Sequence, residues 1–198
     1  AREQGYDVPG LPFDQALANL QNVLSYQQNF SNGGYDVAYA LYVLARNKRA
    51  SVGDLRYYAE SKLDSFATPL AKAQIGAALA LYGDRERAVR VLNAAFMTLS
   101  KQSQEDYARL DYGSRLRDGA ALLTLAVESD PSAPFIPALT QIVARDQARQ
   151  RYTSTQENSW MLLAARALAA GAQSPELEVD GQAVSGDFVR RLSAKQLS

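Results

Sequence analysis

Four carboxylates stand near the predicted starts of apolar helices: Asp36, Asp111, Asp118 and Glu157. Two-ring helical enzymes place paired carboxylates at such positions for acid and base work on sugars, so this pattern would indicate a glycosidase or lyase. Acidic residues at helix starts also satisfy unpaired amides and the helix dipole. No spacing among the four singles out a catalytic pair. We therefore predict no catalytic residue and keep a two-ring helical carbohydrate-active enzyme as an alternative.

Composition removes most other catalytic chemistry. The 198 residues contain no cysteine and no histidine, which excludes disulfides, thiolate nucleophiles, the usual zinc sites and an imidazole general base. Gly33-Gly34 follows no strand and precedes no phosphate-loop lysine, so we interpret it as a turn. Asn29-Phe30-Ser31 matches a glycosylation acceptor, but the motif is short and frequently coincidental. No metal and no cofactor are expected.

Charge excludes two classes of partner. Lysine plus arginine equals aspartate plus glutamate at 21 each, so no net field favours nucleic acid or an anionic membrane. The apolar runs are far shorter than the roughly 20 residues that span a bilayer, so direct membrane insertion by this segment is not expected. The basic cluster Arg46-Asn47-Lys48-Arg49 falls at a predicted helix C-terminus, where cations favour the dipole and need no ligand.

Tyrosine is unusually common and falls close to predicted turns or helix starts. Such residues either anchor a partner surface or pack at a rim with the hydroxyl in water, and we favour the second interpretation. The tyrosines concerned are Tyr57, Tyr58, Tyr107, Tyr112 and Tyr152.

Two kinds of helix alternate about four times along the chain, one with an apolar stripe and one apolar nearly all round. We place the striped helices outside, at 13–28, 51–63, 84–99 and 133–149. The stripe of the first includes Ala16 and Leu17, and that of the third is Ala88, Val91, Leu92, Ala95 and Leu99. The apolar helix that follows the third should be buried near 116–127. The apolar helices lie inside and begin near Tyr35, Thr68, Arg115 and Ser154. Their uneven spacing argues against a strict solenoid repeat and suits helical hairpins in an inner and an outer layer. A helical peptide-binding module is a further alternative, and the same uneven spacing counts against it.

Capping signals give the helix ends. Ser51, Thr68-Pro69 and Asp84 are predicted caps, Ser154-Thr155-Gln156-Glu157 is a capping box, and helices should stop at Gly83 and Gly171. Residues 1–5 resemble the last turn of an earlier helix, so we expect the chain to be a piece of a longer one. After Ser174-Pro175 the period changes to two, and Asp180-Gly181 predicts the turn of a β-hairpin.

A late segment resembles the inner-helix motif of bacterial alpha-2-macroglobulins, in which Ser-Thr-Gln precedes an aromatic residue and an alanine-leucine run. It reads Tyr152-Thr-Ser-Thr-Gln-Glu-Asn-Ser-Trp-Met-Leu-Leu-Ala-Ala-Arg-Ala-Leu168. Segments 34–46, 53–58, 67–74 and 111–118 support the resemblance, which spans nearly the whole chain.

The resemblance implies an all-α fold. Residues 1–173 would form a partial α/α toroid of about four helical hairpins, the later part of the thioester domain, and residues 174–198 would begin a β-rich domain with a short hairpin. It implies a non-catalytic scaffold within a periplasmic protease trap, often lipid-anchored to the inner membrane. The partners would be other domains of the parent protein and the trapped proteases. The family's Cys-x-Glu-Gln thioester motif is absent from this cysteine-free sequence, so no functional residue is carried over.

Overall fold

The computed structural model describes residues 5–26, 30, 33–102, 109, 111–171, 177–179 and 182–184. In those ranges the chain forms eight α-helices and one short 3-10 helix, Leu63–Ser65. The helices are α1 (Gly10–Tyr26), α2 (Tyr35–Arg46), α3 (Val52–Ser61), α4 (Pro69–Leu81), α5 (Arg85–Lys101), α6 (Arg115–Ser129), α7 (Ile136–Ala148) and α8 (Thr155–Gly171).

The helices lie in two layers. The even-numbered helices form an inner row in which α2 contacts α4, α4 contacts α6 and α6 contacts α8. The odd-numbered helices cover this row, with α1 on α2, α3 and α5 on α4, and α5 and α7 on α6. The predicted all-helical fold of paired inner and outer helices, as in an α/α toroid, is therefore confirmed.

The inner helices are apolar because they are covered from several sides. Every residue of α6 from Leu116 to Val127 is buried, and so are nearly all residues of α4. Close helix approach depends on a small residue: a Cβ at Gly76 of α4 would lie 2.8 Å from Cγ of Leu92 in α5. Packing at this contact therefore leaves no room for a side chain.

The outer helices present the predicted stripe, most clearly in α5. Its buried residues are those predicted, namely Ala88, Val91, Leu92, Ala95 and Leu99. In α1 only Leu17 is fully buried, and Ala16, predicted to lie on the stripe, is exposed. The prediction for Ala16 was wrong because α1 packs mainly on α2, which covers a narrower strip than the periodicity indicates.

Most of the predicted caps are confirmed. Ser51 Oγ accepts from the Asp54 amide at 3.3 Å, and Thr68 Oγ1 accepts from the Ala71 amide at 3.0 Å. In the capping box, Ser154 Oγ accepts from the Glu157 amide at 3.2 Å while Glu157 Oε2 accepts from the Ser154 amide at 2.6 Å. These bonds satisfy amide donors that the first helical turn leaves unpaired.

Asp84 departs from its predicted role. It occupies the N-cap position of α5, but its side chain caps no amide. Its carboxylate instead accepts from Arg56 Nε at 2.9 Å and from Arg87 Nη1 at 3.2 Å. Charge-assisted hydrogen bonds to guanidinium groups are stronger than a bond to a neutral amide, so the Asp84 carboxylate binds the two arginines and not an amide of the first turn.

The turn before α2 requires its glycines. Gly33 and Gly34 have φ of +70° and +72°, a region that residues with a side chain adopt rarely. A Cβ at Gly34 would also collide with the rings of Phe30 and Phe66. The prediction of a turn at Gly33-Gly34 is confirmed.

Helix α8 corrects one prediction. We expected 160–170 to be hidden on most sides, and Ala164 is buried. Leu162 and Leu163, however, are 71% and 41% exposed. In the described part of the chain α8 packs on α6 and stands at the end of the inner row, so its other flank faces solvent.

Beyond α8 the structure describes two short strands, β1 (Leu177–Val179) and β2 (Gln182–Val184). They pair antiparallel with Leu177 opposite Val184. Residues 172–176, 180–181 and 185–198 lie outside the described residues, and so do residues 1–4. The turn at Asp180-Gly181, the boundary after residue 173 and the β-rich domain therefore stay predictions.

Candidate functional site

The starts of the four inner helices meet at one rim of the fold. A cavity of about 360 Å³, which we call the rim cavity, is lined by Tyr35 at the start of α2, Thr68 before α4, Arg117 in α6 and Gln156 in α8. Asp111 also lines it. The rim is where the sequence placed its candidate carboxylates.

Two of those carboxylates share a network with two arginines. Asp118 accepts from Arg109 Nη1 at 2.8 Å and from Arg117 Nε and Nη2 at 2.9 and 2.6 Å. Asp111 accepts from Arg109 Nη2 at 2.7 Å and from Arg117 Nη2 at 2.6 Å. We call these four residues the rim ion network. Each carboxylate is bonded to both guanidinium groups.

The network leaves neither carboxylate available for acid or base chemistry. The side chain of Asp118 is 0% exposed, and burial raises its pKa against the opposing charges of Arg117 and Arg109. Burial also raises the pKa of Asp111, but the bonds and charges of Arg117 and then Arg109 outweigh it and hold that pKa below its usual value. A substrate would have to displace an arginine to reach either group.

Glu157 is tied into the fold as well. Besides closing the capping box, its Oε1 accepts from Ser114 Oγ at 2.6 Å, which joins the start of α8 to the start of α6. Burial would raise the pKa of Glu157, but the hydrogen bonds from Ser114 and Ser154 lower it below its usual value. Asp36 Oδ1 accepts from the Val37 amide at 2.9 Å in the first turn of α2.

The structure thus brings Asp111, Asp118 and Glu157 to one rim and gives each internal partners. Asp111 and Asp118 bind Arg109 in the segment that leads into α6 and Arg117 in the first turn of that helix. Of the three carboxylates, only Glu157 links two helix starts, those of α8 and α6.

The arginines of the network were missed by the sequence analysis. Arg117 and Asp118 stand side by side in a helix otherwise apolar from Leu116 to Val127. Two charges in such a surrounding have to be buried and paired, and that signal was available. Arg109 comes from the segment before α6, and nothing in its local sequence indicates a partner. Gln74, buried in α4, was also missed.

The tyrosines divide into two groups. Tyr57, Tyr112 and Tyr152 are exposed, as predicted for rim residues. Tyr58 is half-buried and meets the rings of Phe30 and Phe66 edge-on, with centroids 5.9 and 6.0 Å away. Tyr107 lies outside the described residues.

The basic cluster after α2 has partners within the chain. Arg46 Nη1 donates to the Tyr42 hydroxyl at 2.8 Å and lies 3.8 Å from Glu128, and Arg49 lies 3.2 Å from Asp14. These contacts account for the cluster without a bound ligand. Asn29 and Ser31 of the glycosylation motif lie outside the described residues.

A larger opening of about 880 Å³ lies between α2, α6 and α8. Its walls include Tyr42, Thr124 and Trp160, and it carries charges of both signs at Arg46 and Glu128. Across the described ranges, no three potential metal-binding side chains of the Asp, Glu, His or Cys type come together. In the same ranges no helix has the length and apolar character needed to cross a membrane.

Comparison with known proteins gives consistent matches. No protein-family model matches the chain. The chain is 33% identical over 177 residues to the alpha-2-macroglobulin of Escherichia coli, covering 85% of this chain and 11% of that protein. It is 29% identical over 212 residues to an alpha-2-macroglobulin of Xylella fastidiosa, covering 100% of this chain and 12% of that protein. The chain therefore spans a small part of these relatives.

Solved structures match in the same way. Salmonella alpha-2-macroglobulin reacted with methylamine superposes with a TM-score of 0.74 at 32% identity, covering 100% of this chain and 14% of that one. Escherichia coli alpha-2-macroglobulin activated by porcine elastase gives 0.71 at 28% identity, covering 93% and 17%. The native Escherichia coli structure from domain MG7 to the C-terminus gives 0.70 at 30% identity, covering 84% and 27%. The sequence and the fold together show that this chain belongs to the bacterial alpha-2-macroglobulin family.

Proposed function

We propose that this chain is part of the α/α toroid that carries the thioester in a bacterial protease trap, and that it is a non-catalytic scaffold there. The observation that carries the proposal is the match over the whole chain to Salmonella alpha-2-macroglobulin reacted with methylamine. Methylamine is a small amine nucleophile of the kind that opens a thioester. Proteases such as the elastase that activates the Escherichia coli protein would be the partners of the longer protein.

The scaffold role is supported by how the polar groups are used. The candidate carboxylates at the rim bind arginines, serines or backbone amides of the same fold. Helices α2, α4 and α6 are buried against one another and against the outer layer, and α8 packs on α6. A segment built in this way holds shape, because moving one inner helix would expose apolar surface and break the bonds at the rim.

Protease trapping by the longer protein tests the first half of the proposal. The protein is incubated with porcine elastase, and the remaining activity is measured on a large protein substrate and on a small chromogenic peptide. A trap suppresses cleavage of the large substrate and spares the small one. Methylamine treatment beforehand should abolish covalent capture on a denaturing gel. Equal cleavage of both substrates with and without the protein would refute the trap.

Substitutions in this segment test the scaffold half. Asp36→Asn and Glu157→Gln should leave trapping unchanged, since glutamine also closes a capping box. Leu122→Ala in the core of α6 should lower the free energy of unfolding by about 2–5 kcal/mol and reduce trapping only as far as the folded fraction falls. Loss of trapping in Asp36→Asn, with unchanged thermal stability, would assign that carboxylate a chemical role.

We further propose that the longer protein resides in the periplasm and is attached to the inner membrane through a part outside this chain. The support is that the chain belongs to the bacterial alpha-2-macroglobulin family. Osmotic-shock fractionation tests it: the protein should stay with the inner membrane and be released by detergent. Recovery in the cytosolic fraction would contradict the proposal.

A further inference from the structure

Helix α1 buries much less surface against the fold than the other long outer helix does. Both α1 and α5 contain 17 residues. Among the described residues, α1 buries Leu17 alone, whereas α5 buries five side chains along its stripe. Apolar side chains stabilise a docked helix in proportion to the area that they remove from water. Helix α1 is therefore the more weakly docked of the two.

Two polar contacts join α1 to the turn after α2, and both are open to water. Gln21 Nε2 donates to the Arg49 carbonyl at 3.1 Å, and Asp14 Oδ1 lies 3.2 Å from Arg49 Nη2. The side chains of Asp14 and Arg49 are 59% and 53% exposed. Ion pairs exposed to this degree contribute little to stability, because water competes for both partners. These contacts orient α1 without adding much to its docking.

A gap weakens the packing of α1 further. A cavity of about 440 Å³ lies between α1, α2 and α3, and its walls include Leu24 of α1 together with Leu41 and Leu44 of α2. A side chain that faces a void loses dispersion contacts on that side. Leu41 and Leu44 are nevertheless only 1% exposed each, so they depend on the helices around the cavity to keep water away.

The sequence of α1 is a poor helix former by itself. It contains Gly10, Pro12, Asn19 and Asn22, residue types with low helix propensity. Its first turn carries no acidic residue and its last turn no basic residue, so side chains do not offset the helix dipole. Isolated helices shorter than about 12–15 residues are marginal in water even when rich in alanine, and α1 is only slightly longer. Once detached from α2, α1 should therefore unfold.

We propose that α1 is a flap, which detaches and unfolds while the other helices stay folded, and that its opening exposes Leu41 and Leu44 of α2. The two buried clusters of the core are built from α2 to α8 and the turns between them, and α1 reaches their edge through the half-buried Leu24. Opening the flap therefore leaves both clusters closed, and it requires less free energy than unfolding the chain. The open state presents an apolar face of α2 that the closed state hides. The flap depends neither on a thioester nor on protease trapping.

The test is amide hydrogen exchange of the chain at neutral pH and at several urea concentrations below the unfolding transition. Amides of α1 should exchange about 100-fold or more faster than amides of α4, and their exchange should respond less to urea because the flap exposes less surface on opening. Leu99→Ala, at a fully buried site in α5, should speed exchange in α4 about thirtyfold or more and leave exchange in α1 unchanged. Equal acceleration of α1 and α4 in this variant would show that α1 opens only with the whole chain, which would overturn the proposal.

A second measurement reads out the exposed face directly. The chain contains no cysteine, so a single introduced thiol reacts without background. Leu44→Cys should react with the thiol reagent DTNB about tenfold or more faster than the matched variant Leu79→Cys, whose site in α4 is 0% exposed and away from the flap. Equal reaction rates of the two variants would overturn the proposal. Rapid reaction of Leu44→Cys while α1 amides are as protected as those of α4 would also overturn it, since the reagent would then enter through the cavity without any opening.

Discussion

Asp118→Asn measures what the rim ion network contributes to stability. The carboxylate is 0% exposed, and its partners Arg117 and Arg109 are 7% and 14% exposed. Asparagine keeps one acceptor oxygen but turns an NH₂ group toward guanidinium donors, and it leaves two arginines short of negative charge. Breaking a buried ion pair in this way costs about 3–5 kcal/mol.

That cost is large against the total stability of a domain, about 5–15 kcal/mol. For a chain of this size about 1 kcal/mol shifts Tm by roughly 2–4 °C, so Tm should fall by about 6–20 °C. Urea unfolding at neutral pH, followed by far-UV circular dichroism, gives the free energy directly. The matched control is Asp64→Asn, an exposed aspartate whose replacement should change it by less than about 0.5 kcal/mol.

A double variant separates pairing from general disruption. Arg117→Met combined with Asp118→Asn should lower the free energy of unfolding by less than the sum of the two single changes. Each single change leaves a buried charge without its partner, whereas the double change removes both members of the pair. If Asp118→Asn lowered the free energy of unfolding by less than about 1 kcal/mol, the reasoning would be refuted. Asp118 would then behave as a neutral carboxyl group and not as the charged partner of two arginines.

Three further predictions address packing, pH and the exposed flank of α8. Gly76→Ala should lower the free energy of unfolding by about 1–3 kcal/mol, since its Cβ would meet Leu92 Cγ at 2.8 Å. Gly53→Ala, at an exposed helical site, should instead raise the free energy of unfolding by about 0.5–1 kcal/mol. Urea unfolding of both variants should therefore give changes of opposite sign relative to the unsubstituted chain. The pKa of Glu157 is lowered on folding, so its stabilisation is present above the unfolded value of about 4.3 and is lost as pH falls through the lower folded value. The free energy of unfolding should therefore drop more steeply with acid in the unsubstituted chain than in Glu157→Gln, and parallel pH curves would contradict this. The exposed apolar residues of α8 should make the chain self-associate, and Leu162→Glu should reduce that self-association in sedimentation at several concentrations. An unsubstituted chain that is monomeric at all concentrations would contradict this prediction.

Local features of the sequence predicted the helices and their ends well. The stripe of α5 and the apolar run of α6 were confirmed residue by residue, and Ser51, Thr68 and the capping box were confirmed as caps. These features depend on residues within three or four positions of one another, because a helix repeats every 3.6 residues and a cap bonds its own first turn. The resemblance to the alpha-2-macroglobulins came from such local runs as well.

The tertiary structure decided which groups meet across helices. The sequence placed Asp111 and Asp118 at helix starts, but only the packing of the segment before α6 brought Arg109 to them. The partners Ser114 and Glu157 are 43 residues apart in the chain. Local periodicity also could not show that α8 has an exposed flank or that the polar residue Gln74 is buried in α4. Each depends on what the neighbouring helices cover, and burial is a property of the whole packing rather than of a single turn.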